Sequence, residues 1–149
     1  MTKQLYFLIA ILVSTAGSCQ NIDGKKGQKD IEVPKVVLAA FEEKYPQEKS
    51  PKWEIDAHGN YEAHFKKKGE KYRADFSPNG PWIETENSIK TKNLPDPIKK
   101  IISERYFLYE ITEVEHVDHA TKGIFYDVEF KQKGKNLDIE FTEDGTILN

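Results

Sequence analysis

A chain of 149 residues with 22 Lys+Arg against 25 Asp+Glu has the length of one average domain and a net charge of −3. Hydrophobic residues at 38% supply a core, and 32% charged residues of both signs supply a solvated surface. The balance argues against nucleic acid, because displacing counterions from phosphates takes a clustered basic field, and the dense run Lys66, Lys67, Lys68 falls at an expected turn.

The first segment, residues 1–18, reads as a signal peptide: Lys3, then an apolar run from Leu5 to Val13, then small residues Ser14 to Ser18. The run is too short to cross a bilayer as a helix. Ala16, Gly17, Ser18 and Cys19 resemble a bacterial lipobox, which makes Cys19 the candidate lipidation site and residues 19–32 a flexible tether rich in Gly, Lys, Asp and Gln. The expectation is an exported, periplasmic, membrane-anchored protein that meets the membrane only through that N-terminal anchor. Cys19 is the one cysteine, so a disulfide, a thiolate zinc cluster and a cysteine nucleophile inside the folded part are excluded.

Residues 33–91 form the first expected unit. Val33, Val36, Val37, Ala40, Phe41 and Tyr45 recur at helical spacing, with Pro34 at the start and Pro46 at the end. The period then changes to two: Trp53 and Ile55, then Tyr61, Ala63 and Phe65, then Tyr72, Ala74 and Phe76, separated by turns at Gly59 and Gly69, with a short fourth strand at Trp82 and Ile83 after Gly80. Residues 92–149 form the second. Asp96 is the candidate N-cap before Pro97, followed by Ile98, Ile101, Ile102 and Tyr106 on one stripe, then strands at Val114 and Val117, at Tyr126, Val128 and Phe130, at Leu137, Ile139 and Phe141, and a short one at Ile147 and Leu148.

The two units match in order. Pro34, Phe41 and Tyr45 are answered by Pro95, Ile102 and Tyr106, and Tyr61, Phe65, Gly69, Phe76 and Gly80 by Tyr126, Phe130, Gly134, Phe141 and Gly145. The expected fold class is therefore α+β: a tandem repeat of a helix followed by three to four antiparallel strands, joined into a sheet of up to eight strands with helices on one face and the other face bare.

Chemistry is sparse. A Gly-rich phosphate loop, a His-Glu-x-x-His helix and a Gly-x-Ser-x-Gly elbow are all missing from the sequence. His116 and His119 near a longer loop offer a metal site only if a third group converges on them, so metal and cofactor are both expected to be none. On the polar side of the strands, Asp127, Glu129, Asp138 and Glu140 alternate outward in the second unit, and Glu62, His64, Lys66, Lys71, Arg73 and Asp75 in the first. Trp82, following Pro81, is either a lid on the core edge or an exposed anchor. The candidate partner-binding set is Trp82, Arg73, Lys71, His64, Asp127, Glu129, Asp138 and Glu140, with catalytic residues none.

The tandem of proline, helix, Phe and Tyr, the strand at Trp53 and Glu54, and the hairpin closing on Asp75, Phe76, Ser77, Pro78, Asn79 and Gly80 resembles the beta-lactamase-inhibitor-like, PepSY-like lipoproteins of bacterial envelopes. The resemblance spans residues 33–149; together with the bare sheet face, more basic in the first unit and acidic in the second, it leads to the expectation of a noncatalytic binding or inhibitor-like role toward a protein partner in the envelope, and the chain is expected to be a monomer. The alternative is a small envelope enzyme or metal-binding protein using the sheet-face carboxylates or the His116/His119 loop.

Overall fold

A computed structural model describes residues 31–149, so the expected signal peptide, Cys19 and all but the end of the tether lie outside the described residues. Helix α1 spans Lys35–Lys44 and helix α2 Asp96–Arg105. Seven strands, β1 (Lys52–Ile55), β2 (Tyr61–Lys67), β3 (Glu70–Phe76), β4 (Trp82–Ser88), β5 (Glu110–His119), β6 (Gly123–Gln132) and β7 (Lys135–Phe141), form one sheet in chain order, every neighbouring pair antiparallel.

The α+β class stands, but the expected tandem of two helix-led units is corrected: among the described residues a single seven-stranded sheet carries two α-helices, with four strands before α2 and three after it. The two ends of the expected pattern develop unequally. In the first half Trp82 and Ile83 open a full strand of seven residues, because Glu84, Thr85, Glu86, Asn87 and Ser88 continue the extended backbone and pair with β5. In the second half Ile147 makes one bridge to Phe141 and no ladder, since Thr142, Asp144 and Thr146 close a tight turn directly after β7. The expected loop after Val117 is likewise strand as far as His119, and the turn is confined to residues 120–122.

Each helix has its own apolar cluster. Val37 and Phe41 of α1, with Tyr45, pack on Ala63, Phe65, Ala74 and Phe76, and the Phe41 ring lies within 5.1–6.1 Å of the rings of Tyr45, Trp53, Phe65 and Phe76. Leu94 and Ile98 of the α2 region pack on Val114, Val128, Phe130, Ile139 and Phe141, and Tyr106 stacks on Phe130 at 4.9 Å. Pro95, not Asp96, takes the cap position of α2: its extended ψ of 145° sets the boundary, and Asp96 stands inside the first turn, paired with Lys99 at 3.0 Å. Two glycines let turns press against the helices. Gly80 (φ +108°) abuts Val36, and Gly145 (φ +91°) abuts Ile101 and Pro97, with no room for a Cβ and in a backbone region that L side chains rarely adopt.

Candidate functional site

Register fixes which side chains share the sheet face opposite Ala63, Ala74 and Phe76. One row crossing the strands reads Glu54, Glu62, Asp75, Glu84, His119; the next reads His64, Arg73, Glu86, Val117, Phe125; a third reads Ser88, Glu115, Asp127, Glu140. Three carboxylate pairs in the first row stand directly opposite one another, an arrangement that costs stability unless something compensates.

Arg73 is the main compensator. Its Nη2 lies 2.6 Å from Glu86 Oε2 and 2.7 Å from Glu115 Oε1, its Nε donates to the same Glu86 oxygen at 3.0 Å, and Glu62 Oε2 stands 4.0 Å away. Burial works against the guanidinium charge, yet Glu86 and Glu115 more than offset it, so the net direction of its pKa is up. One arginine does not satisfy the whole face. Burial, reinforced by Glu62, Glu86 and Glu84, pushes Asp75 up to about 7; burial and Glu86 push Glu115 up to about 7 despite Arg73; burial with Asp138, Glu140 and Glu129 pushes Asp127 up to about 6. Asp75 Oδ1 and Asp127 Oδ1 are buried without a hydrogen-bond partner.

At the β1 end, His64 Nε2 lies 2.5 Å from Glu62 Oε1 and 4.0 Å from Glu54 Oε2, the first contact being out of line for a hydrogen bond. Lys52 holds Glu54 Oε1 at 2.8 Å. At the other end Lys122 Nζ reaches both oxygens of Glu140 at 2.7 and 2.8 Å and sits 5.1 Å from the Phe125 ring. The middle of this face forms a shallow groove of about 730 Å³, whose walls include Lys52, Glu54, His64, Arg73, Glu86 and Glu115.

Of the sequence-derived set, His64 and Arg73 are direct register partners and meet in the groove, which Lys71 also lines. Asp127 opposes Glu140, and Glu129 opposes Asp138, on β6 and β7. Trp82 stands apart from these charges: a bulge where β3 and β4 pairing passes from Asp75 to Phe76 brings it to the α1 side, where it packs on the first apolar cluster, donates from Nε1 to Thr85 Oγ1 at 3.0 Å and lies under Lys44 Nζ at 3.2 Å. His116 and His119 are three residues apart on β5 and point to opposite faces; His116 meets the Tyr126 ring, while His119 Nδ1 accepts from the backbone N–H groups of Thr121 and Lys122. They do not form a joint metal site.

Glu54, Glu84, Glu86 and Glu115 share this face and fall outside the sequence-derived set. The signal for two of them is the alternation Glu84, Glu86, Ser88 against Ile83, Thr85, Asn87, which is obscured because the apolar part of the strand ends at Ile83.

The family described as "Putative beta-lactamase-inhibitor-like, PepSY-like" matches residues 16–71 and, a second time, residues 59–149. Among solved structures, a BLIP-like protein from Bacteroides fragilis NCTC 9343 is similar with a TM-score of 0.69 at 23% identity, covering 80% of this chain and 85% of that one. A DUF2874 family protein from Bacteroides uniformis ATCC 8492 is similar with a TM-score of 0.70 at 20% identity over 79% and 88% of the two chains. A Bacteroides eggerthii DSM 20697 structure described as "putative periplasmic proteins" gives 0.69 at 19% identity over 80% and 88%. No curated protein matches the sequence.

Proposed function

We propose, from the premise that this chain belongs to the PepSY-like, beta-lactamase-inhibitor-like family, that it is a noncatalytic, inhibitor-like binding protein whose charged sheet face engages a protein partner in the periplasm. The observation that carries this reading is the groove itself. It is broad and shallow, and its floor is a fixed ion network centred on Arg73, with Glu86 and Glu115 held at 2.6 and 2.7 Å. Preset charges of this kind select and orient a partner's surface more than they drive chemistry. Export to the periplasm is supported by the signal-like start of the sequence and by the description of the Bacteroides eggerthii relative. Lipid anchoring at Cys19 completes the proposal.

The test is site-specific photocrosslinking in intact envelopes from Ser88 and Lys71 in the groove, with Glu42 on α1 as the control position. The reading predicts one discrete protein adduct from the groove positions, absent from Glu42 and lost when Arg73→Glu reverses the central charge. Equal labelling from all three positions, or an adduct indifferent to Arg73→Glu, overturns it. Titration of the purified protein against a beta-lactamase then asks whether binding inhibits.

A further inference from the structure

We infer that Glu54, Glu62 and His64 form a binding site for one divalent transition-metal ion, with Zn²⁺ the best chemical fit. The three residues come from adjacent strands: Glu54 and Glu62 are register partners on β1 and β2, and His64 follows Glu62 on the same face. One ligand atom from each lies within 4.8 Å of the other two, close enough for a single ion to gather them with small rotamer changes. An imidazole with two carboxylates is a donor set that suits zinc, and it differs from the all-oxygen sets that calcium and magnesium prefer.

Electrostatics points the same way. Two carboxylates face each other across the strand pair, and the Nε2 atom of His64 is buried beside them without a hydrogen bond. A cation at their centre converts that repulsion into attraction. Asp75, the register partner of Glu62 on its other side, is 9% exposed with Oδ1 unpartnered, and adds a further carboxyl to the same row of the sheet face. Competition comes from Lys52, which holds Glu54 Oε1 at 2.8 Å but is itself 60% exposed and free to swing away. Glu54 and His64 both line the groove, so a coordination position left open by three protein ligands faces the surface where a partner would lie. The site does not depend on the partner reading, since the ion is held by this chain's own residues.

Calorimetric titration of the purified protein with Zn²⁺ tests the inference, with the His64 ring signals followed by NMR. One equivalent should bind, His64→Ala and Glu62→Gln should each weaken binding at least about tenfold, and the His64 resonances should shift on saturation. Lys52→Ala should tighten binding, a gain that loss of folding cannot produce. Absence of saturable binding, or binding of equal strength in His64→Ala, overturns the inference; the second result moves the ion to His58, His116 or His119. Binding of Ca²⁺ in preference to Zn²⁺ overturns it as well.

Discussion

Arg73 and Glu86 are register partners on β3 and β4, and both Nε and Nη2 of the guanidinium converge on the same carboxylate oxygen, at 3.0 and 2.6 Å. The remaining contact of Nη2, to Glu115 at 2.7 Å, crosses a further strand, so one side chain ties β3, β4 and β5 together on the polar face.

Replacing Arg73 by Met leaves Glu62, Glu86 and Glu115 facing one another with their principal cation removed. The expected cost is about 1–3 kcal/mol at pH 8, below that of a fully buried pair because the arginine is 39% exposed. At pH 5 the cost should shrink, since Glu115, whose carboxyl is pushed up to about 7 by burial and Glu86, then takes up a proton. Urea denaturation at the two pH values checks this, and an unchanged midpoint at pH 8 would refute it.

Asp75, Glu115 and Asp127 give the protein an inverted acid response. Each has a folded-state pKa above its ordinary value, at about 7, 7 and 6, so between pH 4 and 7 the folded state binds more protons than the unfolded chain. Stability from these groups is present at low pH and lost as pH rises through 6 and 7. Asp75→Asn should therefore stabilise by about 1 kcal/mol at pH 8, after allowance for solvent screening, and have little effect at pH 4. Thermal melts across this range measure it. Greater stability of the parent protein at pH 8 than at pH 5 would contradict the assignment.

Thr85 Oγ1 receives the indole N–H of Trp82 and meets the hydroxyl of Tyr45, joining β4 to the end of α1. Burial pushes the Tyr45 hydroxyl up to about 12, so it stays protonated through the physiological range. Thr85→Val removes both hydrogen bonds at once while keeping the shape, leaves the Trp82 N–H and the Tyr45 hydroxyl unpaired, and should cost about 1–3 kcal/mol. The Trp82 emission spectrum should shift as its hydrogen bond is lost. A variant with unaltered fluorescence and stability would show that the contact contributes nothing.

Gly80→Ala and Gly145→Ala should each destabilise by about 1–3 kcal/mol, because a Cβ would stand 2.7 Å from Val36 Cγ2 or Ile101 Cδ1 in an already unfavourable backbone region. Gly134→Asn makes the contrast. That glycine faces open space, and asparagine tolerates its φ of +79°, so the loss should stay below about 1 kcal/mol. Equal losses at all three positions would show that packing against the helices is irrelevant.

The helices and most strands were legible because their apolar positions follow the two simple periods: Val37 and Phe41 on one helical stripe, Ala63, Phe65, Ala74 and Phe76 on one pleat. Symmetry between the halves was legible in the residues but did not carry over to the architecture. Ile147 has the character of a strand residue and still forms only a bridge, because the turn from Thr142 to Thr146 fixes the backbone just before it. The charged face was half legible. Arg73 and His64 could be assigned to it from alternation, but that Glu115 reaches the same guanidinium depends on β4 and β5 being neighbours across α2, a pairing no local pattern encodes. Trp82 was ambiguous for a related reason, since the bulge between Asp75 and Phe76 decides its side and a bulge shifts the alternation by one.

The order β1 to β7 has a kinetic corollary. Every strand zips onto the strand just before it along the chain, so tight turns nucleate most of the sheet and the loop-closure entropy to be overcome is small at each step. Only the junction of β4 with β5 must wait for residues 89–109, which include α2, to be spanned. Refolding should be quick for a β-rich chain, with that single long-range joint as the slowest step.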